Sequence, residues 1–325
     1  MIEPSAHGTV CSIVCTTYNH SAFCRAALES IFKQDYEHIE IVVIDDGSTD
    51  GNVRELENTL THSPFPYRLI SQENTGNVPL NVNRAIEAAT GVYISFLSLD
   101  DLLLPDAISS KMQIILQNPR VVLVANTVNM EIDSAGEVTC EHFPSPLYRQ
   151  AYTSARELLD VEYENLGTFY MQACVVNADI IRSISGMDPD ISGDDIILRT
   201  KMFIHMAQNP ELEFALIHKP GMKYRKHGNN LYLNVWNQVK TVVDWHERYF
   251  PDRALPELAN KWIDHFVNQS INTGNTKALE RASRYSPILN TQIGTLMKSW
   301  KYRRRRAKSI LKRAILLRPL FRSGR

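Results

Sequence analysis

An α/β fold, with a mostly parallel sheet flanked by helices, is what the sequence predicts, and three observations predict it. The first 130 residues alternate short runs of β-branched residues with amphipathic stretches, the pattern of a parallel sheet covered on both faces. Several of those runs stop abruptly at polar or acidic clusters, and open sheets bind ligands at the carboxyl ends of their strands. At 325 residues with 44% apolar composition, the chain can bury one large core and still carry an appendage.

The first strand is "VCSIVCTT" (10–17), followed by "SAFCRAALESIFKQ" (21–34), a helix with apolar residues three and four apart. "IEIVVIDDG" (39–47) is a second strand, closed by "DGSTDGN", a turn and helix start rich in capping residues. "YRLIS" (67–71) is a third strand, "PLNVNRAIEAA" (79–89) a helix, "VYISFLSL" (92–99) a fourth strand and "VVLVANTV" (121–128) a fifth. Between 126 and 190, "FPSPLYRQAY" predicts a loop and "NLGTFYMQACVVNADII" a strand entering a helix. Beyond 230, "VWNQVKTVVDWHERYF" and "LANKWIDHFVNQSI" are helical in spacing, and their tryptophans read as core.

The polar residues fall where chemistry would need them. Thr16 to Asn19 follow the first strand, Asp45 and Asp46 end the second, and Asp100 and Asp101 end the fourth, so all three clusters should face one crevice. Each alone reads as a capped turn or an N-cap rather than a site. Together on one sheet edge they point to a site. Adjacent carboxylates repel and are costly to desolvate, which calls for a cation between or beside them. No phosphate-binding glycine loop is present, so an anionic ligand needs a metal, a helix N-terminus or basic side chains. A hard, oxygen-rich carboxylate site suits Mn²⁺ or Mg²⁺.

Charge is unevenly distributed. Residues 298–325 hold 12 of the 35 Lys and Arg and no acid, although the net charge of the chain is only −1. Ala307, Ile310, Leu311, Ala314 and Ile315 share one helical face of that tail. A basic amphipathic segment suits an anionic bilayer surface; a solvated tail or nonspecific nucleic-acid contact is the plainer alternative. Phosphate contact needs no apolar stripe, so the membrane is preferred and no specific nucleic acid is expected. The N-terminus lacks the regions of a signal peptide, and no run approaches the roughly 18 apolar residues of a spanning helix. The expectation is a cytoplasmic protein, peripheral at the inner face of the cell membrane. Cys11, Cys15, Cys24, Cys140 and Cys174 are odd in number and form no CxxC pair, and so read as reduced core residues.

"SIVCTTYNHSAFCRAALESIFKQDYEHIEIVVIDDGSTD" and "NTGNVPLNVNRAIEAATGVYISFLSLDD" resemble glycosyltransferase family 2 from residue 10 to about 107, and the likeness resumes at "SISGMDPDISGDDIILRTKMF" (183–203) and "YRKHGNN" (224–230). The resemblance implies a GT-A (Rossmann-like) domain over 1–230, with a nucleotide-binding half at 8–125 and an acceptor-side half at 126–230. A helical region (231–297) and the basic tail (298–325) follow. It assigns Thr16, Tyr18 and Asp46 to the nucleotide base, Asp100 to the ribose side of the metal, and Asp101 to the metal as main ligand, with His227 near metal and diphosphate. Asp195 matches the catalytic base, with Asp194 as the alternative. The sequence departs from the family in carrying Ser98-Leu99-Asp100-Asp101 where D-x-D-D is common. It also has Asn81-Val82-Asn83 where an arginine is common, so Arg84 or the basic Arg225 and Lys226 are candidates to meet phosphate.

The function implied is inverting, metal-dependent transfer from a nucleotide sugar, UDP-linked, to a lipid-linked glycan acceptor in bacterial surface polysaccharide synthesis, such as O-antigen. The rival readings are a nucleotidyltransferase, which normally has a glycine- and arginine-rich loop where this chain has "CTTYNHS", and a noncatalytic nucleotide-sugar-binding protein.

Overall fold

The computed structural model describes residues 8–193, 195–228, 230 and 233–298. The chain divides into two compact units, Met1–Asn230 and Leu231–Arg325.

The first unit opens with β1 (Cys11–Thr17), α1 (Cys24–Phe32), β2 (Ile39–Asp45), α2 (Asn52–Leu60), β3 (Tyr67–Ser71), α3 (Val78–Ala88) and β4 (Tyr93–Ser98). It continues through β5 (Leu102–Leu103), α4 (Ser109–Gln117), β6 (Val121–Ile132), β7 (Val138–Pro144), α5 (Ala155–Asn165), β8 (Val175–Asn177), α6 (Ala178–Ser183), α7 (Asp195–Gln208) and β9 (Glu213–Arg225). One sheet runs in the order β3-β2-β1-β4-β8-β6-β9-β5, with β7 paired to β6. The four strands β3, β2, β1 and β4 are mutually parallel, as the alternation of strand and helix predicts. β6 and β9 form a further parallel pair. Antiparallel pairing enters where β8 joins β4 to β6 and where β5 and β7 add to the edges.

Near-continuous apolar runs make this sheet because both of its faces are covered. Cys11, Ile13 and Cys15 of β1 and Ile39, Ile41 and Val43 of β2 pack with Ala27, Leu28 and Ile31 of α1. Val14, Val42 and Ile44, which point the other way, are also buried. All five cysteines are free, and Cys11, Cys15, Cys24 and Cys174 are buried. The register brings the strand ends level: Thr17 lies opposite Asp45, and Thr16 opposite Ser98.

The second unit comprises α8 (Val235–Tyr249), α9 (Glu257–Thr273), α10 (Thr276–Tyr285) and α11 (Pro287–Lys298). Its core is Val239, Val243, Ile263, Phe266, Val267, Leu279 and Leu289, with Trp236 and Trp262 packed against it. No helix among the described residues is long and apolar enough to cross a membrane. The tail beyond Lys298, to which the sequence assigns membrane contact, lies outside the described residues.

Candidate active site

β2 ends in two aspartates with different duties. Asp45 is fully buried; it accepts from Ser48 N at 3.0 Å and from Asn52 Nδ2 at 2.8 Å, which fixes the turn into α2. Asp46 is held by the segment after β3. Its Oδ1 accepts from Gln72 Nε2, Thr75 N and Thr75 Oγ1, each at 2.9 Å, and its Oδ2 accepts from Gly76 N at 3.1 Å. Burial opposes ionisation, but the hydrogen bonds from Thr75 and Gln72 outweigh it and hold the carboxyl below its usual range. Oδ2, with one hydrogen bond, is the oxygen with capacity left to accept from a ligand N–H. Arg84 Nη1 donates to Gln72 Oε1 at 2.6 Å and so braces this cradle. Thr16 is half-buried beside the cradle's strand, and Tyr18 is 47% exposed beyond the end of β1.

At the end of β4, Asp100 and Asp101 turn to different partners. Asp101 is 1% exposed, and its Oδ1 accepts from the backbone N of Arg225 at 2.7 Å. Desolvation, reinforced by the charge of Asp100, raises its carboxyl well above the usual range. Arg225 closes the arrangement from the end of β9. Its Nε donates to the Asp100 carbonyl at 2.7 Å, and its guanidinium lies 4.8 Å from the Phe23 ring centre. Lys226 pairs with Glu131 at 2.6 Å. Arg225 and Lys226, which the sequence offers to the diphosphate, make these local contacts.

Asp100 lies between two imidazoles. Its Oδ2 meets His227 Nε2 at 3.0 Å, and its Oδ1 lies 4.0 Å from His20 Nδ1. Burial opposes ionisation of Asp100, but the His20 imidazole and local hydrogen bonding outweigh it and keep the carboxyl below the usual range. Burial in turn pushes the His20 imidazole down, against the pull of Asp100. One ligand atom from each of His20, Asp100 and His227 lies within 4.8 Å of the others, the one such cluster among the described residues. The metal reading of the sequence rests on Asp101 with His227; the cluster of ligand atoms in the structure is made by Asp100 with His227 and His20, while Asp101 Oδ1 accepts from the backbone of β9. Asp100 Oδ1 and His20 Nδ1 are both buried without a hydrogen-bond partner, and a buried carboxylate between two imidazoles fits a divalent cation. His20 escapes sequence reasoning, although "TTYNH" places it in the loop after β1 that faces this same edge.

Asp195 opens α7, where the helix dipole favours an anion. Its Oδ2 accepts from Met171 N at 2.9 Å and lies 3.4 Å from Arg199 Nη1, one turn along. Arg199 is itself buried, fixed by Glu162 of α5 at 3.0 Å and by the Phe169 carbonyl. The Asp195 charge is near enough to contribute to the upward shift of Asp101 and to that of Tyr170, which burial chiefly pushes to about 12. Asp194, the alternative base, lies outside the described residues.

Comparison with known proteins agrees with this architecture. The model of glycosyl transferase family 2 matches residues 12–184. An uncharacterized glycosyltransferase of Nostoc sp. is 30% identical over 270 residues, which is 79% of this chain and 75% of that protein. Glycosyltransferase GlyG of Streptococcus pneumoniae is 32% identical over 120 residues, 37% of this chain and 40% of GlyG, so the match spans less than half of that relative. Among solved structures, S. aureus TarS 1–349 in complex with UDP-GlcNAc superposes with a TM-score of 0.59 at 13% identity, covering 93% of this chain and 92% of that one. Mannosyltransferase PcManGT from Pyrobaculum calidifontis, in complex with GDP-Man and Mn²⁺, gives 0.54 at 16% identity over 98% of this chain and 89% of that one. Those two likenesses concern the fold. The family match extends over more than half of the chain, and the chain belongs to glycosyl transferase family 2.

Proposed function

We propose that this enzyme moves a sugar, with inversion, from a UDP-linked donor to a glycan acceptor, and that the acceptor is a lipid-linked saccharide of bacterial surface polysaccharide synthesis. One juxtaposition carries the reading. A carboxylate cradled for a ligand N–H (Asp46), a carboxylate–imidazole pair suited to a cation (Asp100 and His227), and a helix-start carboxylate (Asp195) gather at one end of the sheet. Asp46 Oδ2 would accept the imide proton of uracil, with Thr16 beside it and Tyr18 lying over the base. Mn²⁺ or Mg²⁺ held by Asp100 and His227 would neutralise the diphosphate.

Asp195 acts as general base. It takes the proton of the acceptor hydroxyl as that oxygen attacks the anomeric carbon, the bond to the diphosphate oxygen breaks on the opposite face, and UDP departs. Arg199, locked by Glu162, orients the Asp195 carboxylate. A UDP donor is further supported by the UDP-GlcNAc complex of TarS, and a metal by the Mn²⁺ complex of PcManGT.

The test is a screen of nucleotide sugars that reads released nucleoside diphosphate. A UDP-sugar is expected to give acceptor-dependent release that EDTA abolishes and Mn²⁺ or Mg²⁺ restores. Turnover with only a GDP-sugar would overturn the donor assignment, and full activity in chelator would overturn the metal role of Asp100 and His227.

A further inference from the structure

We infer that His20 is a third protein ligand of the metal site. This makes it a site of two imidazoles and one carboxylate that binds Mn²⁺ or another transition ion without nucleotide and discriminates against Mg²⁺. The inference rests on the metal reading above and extends it to a residue outside the strand-end acids. His20 Nδ1 and Asp100 Oδ1 are buried, lack hydrogen-bond partners and face each other across 4.0 Å. That separation is too long for a hydrogen bond. Metal–nitrogen and metal–oxygen bonds of about 2.0–2.2 Å on either side of an ion could span it. On its other side Asp100 meets His227 at 3.0 Å.

The loop bearing His20 is built to hold it. Asn19 sits in the left-handed region with φ 55°. Its backbone N donates to Ser48 Oγ at 2.8 Å and its side chain accepts from Thr49 N at 2.8 Å. Ser21 N donates to Asp50 Oδ2 at 3.0 Å, and the His20 carbonyl accepts from Phe23 N and Cys24 N at 2.8 and 2.9 Å. The Phe23 ring, 6.3 Å from His20 and 5.1 Å from His227, packs beside both imidazoles. Every bond of the loop is made by the backbone or by neighbours of His20, so its side chain is not needed to shape the loop. Two neutral nitrogens and one carboxylate favour borderline transition ions. Mg²⁺ prefers oxygen donors and keeps several of its waters.

The decisive experiment is metal binding to the nucleotide-free enzyme, followed by Mn²⁺ electron paramagnetic resonance and by Co²⁺ absorption. Wild type is expected to bind Mn²⁺, with a tenfold or larger excess of Mg²⁺ displacing little of it. His20→Gln should weaken Mn²⁺ binding at least tenfold and change the Co²⁺ spectrum. His20→Glu should recover binding and narrow the preference over Mg²⁺. Circular dichroism and UDP binding in chelator should match wild type in both variants. Equal Mn²⁺ affinity and an unchanged Co²⁺ spectrum in His20→Gln would overturn the third ligand while leaving the Asp100–His227 site standing. Wild-type binding that depends on added UDP would overturn it as well. If Asp100→Asn also bound Mn²⁺ like wild type, the metal reading itself would fall. UDP binding in chelator reports separately on the nucleotide reading.

Discussion

At the residue scale, each acid at the sheet edge differs from its neighbour by the partner it holds, and this makes the substitutions diagnostic. Asp195→Asn keeps the size and the hydrogen bond from Met171 N but removes the proton acceptor. Turnover should fall by about two to four decades while UDP affinity, measured by calorimetry, stays within about twofold. Asp46→Ala should do the reverse at the binding step, because the donors of Thr75, Gln72 and Gly76 lose the oxygen that orders them. Lys111 tests the fold apart from the site. It is fully buried, its Nζ donates to the Ala107 carbonyl at 2.6 Å, and burial pushes its amine down from 10.5 to about 8. Between those values the unfolded chain binds more protons than the native one, so stability from this group rises with pH from about 8 to 10.5. Lys111→Met should stabilise the protein at pH 7 by on the order of 1–3 kcal/mol. It should also flatten that rise, as read by urea unfolding at pH 7 and 9.5.

Elements explain why part of the site was legible in sequence and part was not. β1, β2, β3 and β4 announce themselves as apolar runs stopped by polar residues, and in-register parallel pairing brings those stops level. Asp45, Asp46, Asp100 and Asp101 were therefore legible as one cluster. Which acid joins the two histidines was not legible, because their pairing depends on chain brought in from far away, as does that of Asp101 with the Arg225 backbone, 124 positions along the sequence. His20 was silent for a similar reason: a loop histidine carries no periodic signal, and only the arrival of Asp100 and His227 gives it a role. α5 was legible in principle through the capping box of Ser154 and Glu157, and β8 with α6 is the strand entering a helix that the sequence predicts, but β7 is a largely exposed strand with a weak pattern. The turn after β2 offers a test at this scale. Gly47 has φ +72°, and a Cβ there would lie 2.5 Å from Asn74 N, in the segment that supplies the donors to Asp46. Gly47→Ala should destabilise the fold by about 1–3 kcal/mol and weaken UDP binding, through both the left-handed backbone and the displaced segment. Unchanged UDP affinity in that variant would show that the Asp46 cradle tolerates displacement.

For the whole molecule the determining feature is the segregation of charge, with 12 of 35 basic residues and no acid in residues 298–325. The remainder of the chain has an acidic excess, so any electrostatic attraction to an anionic bilayer is expected from the tail. Each basic residue close to such a surface contributes on the order of 1 kcal/mol, and a few buried apolar side chains add an unscreened part. Deleting residues 298–325 should release the protein from vesicles containing anionic lipid and lower activity on a lipid-linked acceptor, while transfer to a soluble acceptor analogue persists. High salt should detach the intact protein only in part, because ions screen the charges and leave the apolar residues Ala307, Ile310, Leu311, Ala314 and Ile315 unaffected. The two activities need to be measured on the same preparations: a truncated enzyme that lost both would have lost its fold or its active site rather than its anchor. Equal cosedimentation of full-length and truncated protein with those vesicles would assign the tail to solvent or to a protein partner.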